Sequence, residues 1–123
     1  MKPVQTNQIS PRLTVYSGAF YTGESRILRG TLGIENTSDG VDDIRSLRFF
    51  SMNSSATLVA FTEPGFRGHY RIYRGGYHNV ADLHDLIAGD RVRSLISSNQ
   101  PLTQAQVREI GRTGRLPEAD REI

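Results

Sequence analysis

The chain has 123 residues, 37% hydrophobic and 23% charged, with a formal net charge of +2. That is enough for one domain with a modest core, and too many aliphatics with too little charge for intrinsic disorder. Twelve glycines without a triplet period exclude collagen, and no apolar run approaches the length of a membrane-spanning helix.

The basic residues are fourteen arginines and one lysine, spread from Arg12 to Arg121 among carboxylates. This reads as a solvated surface of mixed sign, so neither nucleic acid nor a membrane is the expected partner. Cysteine is absent, and Met1 to Asn7 carries one positive charge with no apolar stretch behind it. The expectation is a cytoplasmic protein that folds without disulfides.

In chain order, residues 1–11 form an N-terminal arm. Leu13 to Tyr16 reads as a strand, followed by turn residues Ser17-Gly18-Ala19 and a second strand over Ser25 to Leu28. Ser46 to Phe50 closes this first unit, and the short polar stretch Ser51 to Ala56 leads out of it. The next strands are Thr57 to Phe61, Tyr70 to Tyr73 and Ser94 to Ser97, with Glu63-Pro64-Gly65 as a turn.

The two units match each other. At an offset of 45 residues Leu13 meets Leu58, Tyr16 meets Phe61, Tyr21 meets Phe66 and Gly23 meets Gly68. The stretch Arg26-Ile27-Leu28-Arg29-Gly30 meets Arg71-Ile72-Tyr73-Arg74-Gly75. At an offset of 48, Ile44-Arg45-Ser46-Leu47 meets Val92-Arg93-Ser94-Leu95. One such unit cannot bury both faces of its strands, whereas two stacked as sheets can. The prediction is therefore one all-β antiparallel sandwich over residues 12–98, with motifs 12–51 and 57–98, and an extension over 99–123. Leu13, Val15, Ile27, Leu47, Leu58, Ile72, Val92 and Leu95 are the expected core.

The spacing Tyr16-x4-Tyr21-x-Gly23, repeated as Phe61-x4-Phe66-x-Gly68, resembles the aromatic-x4-aromatic-x-Gly signature of βγ-crystallins. The resemblance implies two Greek-key motifs paired in one domain. It implies that Ser46 and Ser94 each hydrogen-bond a folded hairpin. The chain departs from many such domains in having no Trp, a space that Leu83 or Leu86 is expected to fill.

Many microbial members of that family bind two calcium ions through Asn/Asp-Asn/Asp-x-x-Ser/Thr-Ser. The matching segments here are Val41-Asp42-Asp43-Ile44-Arg45-Ser46 and Gly89-Asp90-Arg91-Val92-Arg93-Ser94. Both lack the first acid or amide, and both carry Arg where the family has a hydroxyl ligand. A guanidinium has no acceptor and repels the ion. Arg45 and Arg93 are thus expected to disable the sites, leaving Asp42, Asp43 and Asp90 as vestigial carboxylates. No cofactor is expected, with calcium at most a weak ligand.

His78, Asp82, His84 and Asp85 share one segment, but the spacing of the histidines does not favour a metal site, and a loop with a short helix capped by Asn79 is expected instead. No Ser stands in a nucleophile elbow, and no glycine stretch has the form of a phosphate loop. Thr103-Gln104-Ala105-Gln106 has the form of a capping box, predicting a helix over Thr103 to Ile110 that stops at Gly111. A helix that short needs a docking surface, on its own domain or on a second copy. The resulting expectation is a non-enzymatic structural, stress-related or protein-binding module, with an unknown protein partner or a homodimer. The alternatives are a small protein inhibitor or toxin-type effector, and a weak calcium-binding protein.

Overall fold

The computed structural model describes residues 11–34, 36–37, 44–83, 91–115 and 121–122. The strands are β1 (Arg12–Gly18), β2 (Thr22–Arg29), β3 (Leu32–Ile34), β4 (Ser46–Phe50), β5 (Thr57–Glu63), β6 (Arg67–Arg74), β7 (Tyr77–Val80), β8 (Ser94–Ser98) and β9 (Arg121–Glu122). A helix, α1 (Gln104–Thr113), follows β8. The protein is an all-β Greek-key sandwich with a short C-terminal helix.

The first sheet has the order β2-β1-β4-β7 and the second β6-β5-β8-β3-β9. All pairings are antiparallel except the two-residue β9 beside β3. Apart from the short β9 at the edge of the second sheet, each sheet takes three strands from one half of the chain and one from the other: β3 crosses to pair with β8, and β7 crosses to pair with β4. Neither half can close its sheets alone, so the two are one folding unit. At the centre an isolated antiparallel bridge joins Ile44 to Val92, and both are buried. Equivalent strands share one register. Leu13 stands opposite Leu28 as Leu58 stands opposite Tyr73, and both hairpins are irregular at the same place, after Tyr16 and after Phe61.

Strand alternation sends Leu13, Val15, Leu47 and Phe49 from the first sheet against Leu58, Ala60 and Leu95 from the second. Leu83 lies fully buried among them, while Leu86 is outside the described residues. Equivalent inward positions differ in size: β4 has the buried Phe49 where β8 has the buried Ser97.

A second apolar cluster sits on the outer face of the second sheet, where Val59, Phe61, Phe66 and Ile96 meet Leu102, Val107 and Ile110. Strand β5 is therefore buried on both sides, which explains why its residues from Thr57 to Thr62 are all buried. Fully burying each of the three aliphatics from the helical segment is worth at most about 1.5–3 kcal/mol.

Three expectations change. Ile27 is not in the core: the alternation of β2 puts Leu28 inside and leaves Ile27 53% exposed on the outer face of the first sheet. Its counterpart Ile72 is half-buried only because α1 covers that side of the second sheet. The helix runs past Gly111 to Thr113 and stops at Gly114, which has φ 71°. Gly111 serves close approach instead, since a Cβ there would lie 2.8 Å from the Phe66 carbonyl oxygen. Asn79 caps no helix; it lies with His78 in β7, while His84 and Asp85 are outside the described residues.

Candidate functional site

The two β1–β2 and β5–β6 turns fold back on the sandwich, and each is held by one serine. Ser46 Oγ accepts from the Tyr21 N–H at 2.9 Å and donates to the Gly18 carbonyl at 2.6 Å. Ser94 Oγ accepts from the Phe66 N–H at 3.1 Å and donates to the Glu63 carbonyl at 2.6 Å. Both serines are fully buried. Within each turn a second hydroxyl bonds the strand that follows: Ser17 Oγ accepts from the Glu24 N–H, and Thr62 Oγ1 from the His69 N–H, both at 2.9 Å.

The turn needs left-handed backbone at its aromatic residue and at the glycine two positions on. Tyr21 and Phe66 both have φ 63°, Gly23 has φ 81° and Gly68 φ 83°. Edge contacts secure the strained rings: Tyr16 meets Tyr21, and Phe61 meets Phe66, each at a centroid distance of 5.7 Å. Phe20 also has positive φ, 58°, where the second turn has Gly65, and its ring is 70% exposed.

Arg45 and Arg93 immediately precede the two serines. The Arg45 guanidinium Nε lies 3.3 Å from Asp82 Oδ1, linking the two halves of the chain. The Arg45 carbonyl accepts from the Leu83 N–H at 2.8 Å, and the Arg93 carbonyl accepts from the Thr37 N–H at 2.9 Å. Each Arg main chain thus ties the end of one motif to the segment after the crossing strand of the other. Asp42, Asp43 and Asp90 lie outside the described residues. Among the described residues, no three His, Cys, Asp or Glu side chains gather in a way that could hold a metal ion.

His78 is occupied elsewhere. Its Nε2 lies 2.8 Å from the Arg74 carbonyl, and its ring packs edge-on against Tyr73 at 5.4 Å. Burial pushes the Tyr73 hydroxyl above its ordinary pKa, against the opposing pull of Arg71. On α1, the bidentate contact between Glu109 and Arg112 holds the Glu109 carboxyl below its usual value and raises Arg112.

Two features escape sequence reading. One is the grip on the segment entering α1: the Leu102 N–H donates to Thr57 Oγ1 at 3.1 Å, and Arg74 Nη1 donates to the Leu102 carbonyl at 2.8 Å. The other is the outer face of the first sheet, where a depression of about 470 Å³ is lined by Arg12, Arg29, Arg48, Ile27, Phe50 and Tyr77 among others. The cross-strand register that would have revealed it is not visible in any one stretch of sequence.

Neither protein-family models nor curated proteins give a match to this sequence. Solved structures do match in shape. One, described as "Evolution of the eye lens beta-gamma-crystallin domain fold", superposes with a TM-score of 0.56 at 17% identity, over 75% of this chain and 89% of that one. A βγ-crystallin domain from Clostridium beijerinckii gives a TM-score of 0.53 at 18% identity, over 72% and 99%. The fifth crystallin domain of the non-lens protein absent in melanoma 1 gives 0.52 at 19% identity, over 76% and 92%. The chain therefore has the fold of βγ-crystallin domains, and at these identities the likeness is one of fold alone.

Proposed function

We propose that this chain is a non-catalytic βγ-crystallin-like module, structural or stress-related, that acts by binding protein and whose calcium positions are replaced by arginine contacts. The observation that carries the reading is the ion pair of Arg45 with Asp82, at the place where the resembled calcium motif has a hydroxyl ligand. A guanidinium only donates, so it can hold a carboxylate but not a cation. With both groups partly exposed the pair contributes on the order of 0.2–1 kcal/mol, enough to replace a link and not to dominate stability. The non-catalytic part is supported by the hydroxyls of Ser17, Ser46, Thr62 and Ser94, which all hold backbone groups.

Thermal melting with calcium and with EDTA tests this. A site with Kd near 1 mM adds only about 0.4 kcal/mol at 1 mM ion, so the two curves should nearly coincide. The double substitution Arg45→Ser with Arg93→Ser should create or strengthen a calcium response. A rise of about ten degrees in the unsubstituted protein, worth more than ~1 kcal/mol at this size, would overturn the reading.

A further inference from the structure

The two sheets have equivalent outer faces, and among the described residues only that of the second sheet is covered. Over the second sheet, Thr57 and Arg74 bond both backbone groups of Leu102 in the segment that leads into α1, and Ile96 and Val59 lie beneath that helix. On the first sheet the residues at those four places are Arg12, Arg29, Arg48 and Thr14. Register sets Arg29, Arg12, Phe50 and Tyr77 in one row across four strands, with Ile27, Thr14 and Arg48 in the next. Ile27 is 53%, Phe50 41% and Tyr77 70% exposed. Among the described residues, no Asp or Glu lines the depression.

We propose that the outer face of the first sheet is a docking surface for an acidic, amphipathic segment of a partner protein. This rests on the reading of the chain as a protein-binding module and goes on to name the surface and the chemistry of the partner. The shape of the occupant follows from the second sheet, whose matching face takes an amphipathic segment. Its sign follows from charge: Arg12 and Arg48, with no carboxylate among the described lining residues, favour an anion, and the Ile-to-Arg difference at position 48 replaces an apolar contact by a cationic one. The guanidinium of Arg48 lies 4.1 Å from the centre of the Tyr21 ring, and that of Arg12 lies 5.6 Å from the Phe50 ring. Stacking fixes the plane of a guanidinium and leaves its N–H edge for a carboxylate.

The same geometry disfavours the other occupants. Nucleic-acid bases need open ring faces; guanidinium groups lie over Tyr21 and Phe50, which leaves Tyr77 as the open ring of the row, too little for successive bases to stack on. A second copy bound through the same face would set arginines against arginines.

The test is binding of fluorescent poly(Glu,Tyr) to the full chain at about 50 mM salt, where surface charges are little screened. Poly-Glu and a dT oligomer serve as comparison probes. Poly(Glu,Tyr) should bind about tenfold more tightly than poly-Glu, and Arg12→Glu with Arg48→Glu should weaken it at least about tenfold. Arg108→Glu with Arg115→Glu, an equal change in net charge elsewhere, should leave it unchanged. Tyr77→Ser, at an exposed position, should remove much of the preference over poly-Glu and keeps the test open if the charge reversals unfold the chain. Absence of binding, equal loss in both charge reversals, or tighter binding of the dT oligomer would each overturn the proposal. So would a dimer in sedimentation that Arg12→Glu with Arg48→Glu disperses. The calcium melts fail or succeed independently of these outcomes.

Discussion

Arg48 and Ile96 occupy the same place in the two sheets, Arg48 opposite Thr14 of β1 and Ile96 opposite Val59 of β5, yet Ile96 is fully buried under α1 while Arg48 lies over the Tyr21 ring. The difference shows that α1 belongs to the second sheet's core. Ile110→Ala should therefore cost about 2–4 kcal/mol, as for other buried aliphatics, although it sits in the extension. Urea unfolding checks this. A cost below about 0.5 kcal/mol, typical of surface sites, would mean that the helix is not docked.

Gly111 gives a prediction of sign. In an exposed helix Gly→Ala stabilises by roughly 0.5–1 kcal/mol. Here the added Cβ would stand 2.8 Å from the Phe66 carbonyl oxygen, a backbone atom that cannot swing away. Gly111→Ala should instead lower stability by about 1–3 kcal/mol, the usual cost of overpacking. A higher melting temperature for the variant would place the helix further from the hairpin.

Ser46 and Ser94 make the same two bonds, but the Ser94 bond to Phe66 is the more deeply buried. Alanine at either position leaves one N–H and one carbonyl without their partner, at about 1–3 kcal/mol for each buried group left unmade. Ser94→Ala should cost more than Ser46→Ala, since water can reach the part-buried Tyr21 N–H. Equilibrium denaturation of both variants gives the order directly, and the reverse order would contradict the burial argument.

The hairpins were the legible part of the fold because they need rare residue types. An aromatic and a glycine two positions apart mark positive φ, and Tyr21, Gly23, Phe66 and Gly68 all have it. Ile27 misled because its match to Ile72 in sequence hides a difference in cover, which depends on a helix far along the chain. Gly111 misled because close approach and helix termination both select glycine. The crossing of β3 and β7 between sheets leaves no local trace, since Leu32–Ile34 and Tyr77–Val80 are short strands whatever their neighbours. At the candidate site the residue types of Arg45 and Arg93 are plain in sequence. The partner of Arg45 is not, because Asp82 comes from the other half of the chain.

Tyr73 carries the last prediction. Its hydroxyl is buried with no hydrogen-bond partner, and its ring packs against the core between the sheets and against His78. Burial raises its pKa above that of the unfolded chain, despite Arg71. As pH rises through the ordinary tyrosine value of about 10, the unfolded chain therefore loses this proton first. The stabilisation tied to the neutral phenol is intact below that value and is lost as pH climbs from it through the folded pKa. The slope is at most about 1.4 kcal/mol per pH unit for one proton. Tyr73→Phe should remove both effects: a gain of about 1 kcal/mol near neutral pH from deleting an unpaired buried hydroxyl, and a shallower alkaline limb. Urea unfolding of both proteins from about pH 7 to about pH 11 separates the two. A variant less stable than its parent at neutral pH would show that the hydroxyl has a partner, and parallel alkaline limbs would show that its proton is not linked to folding.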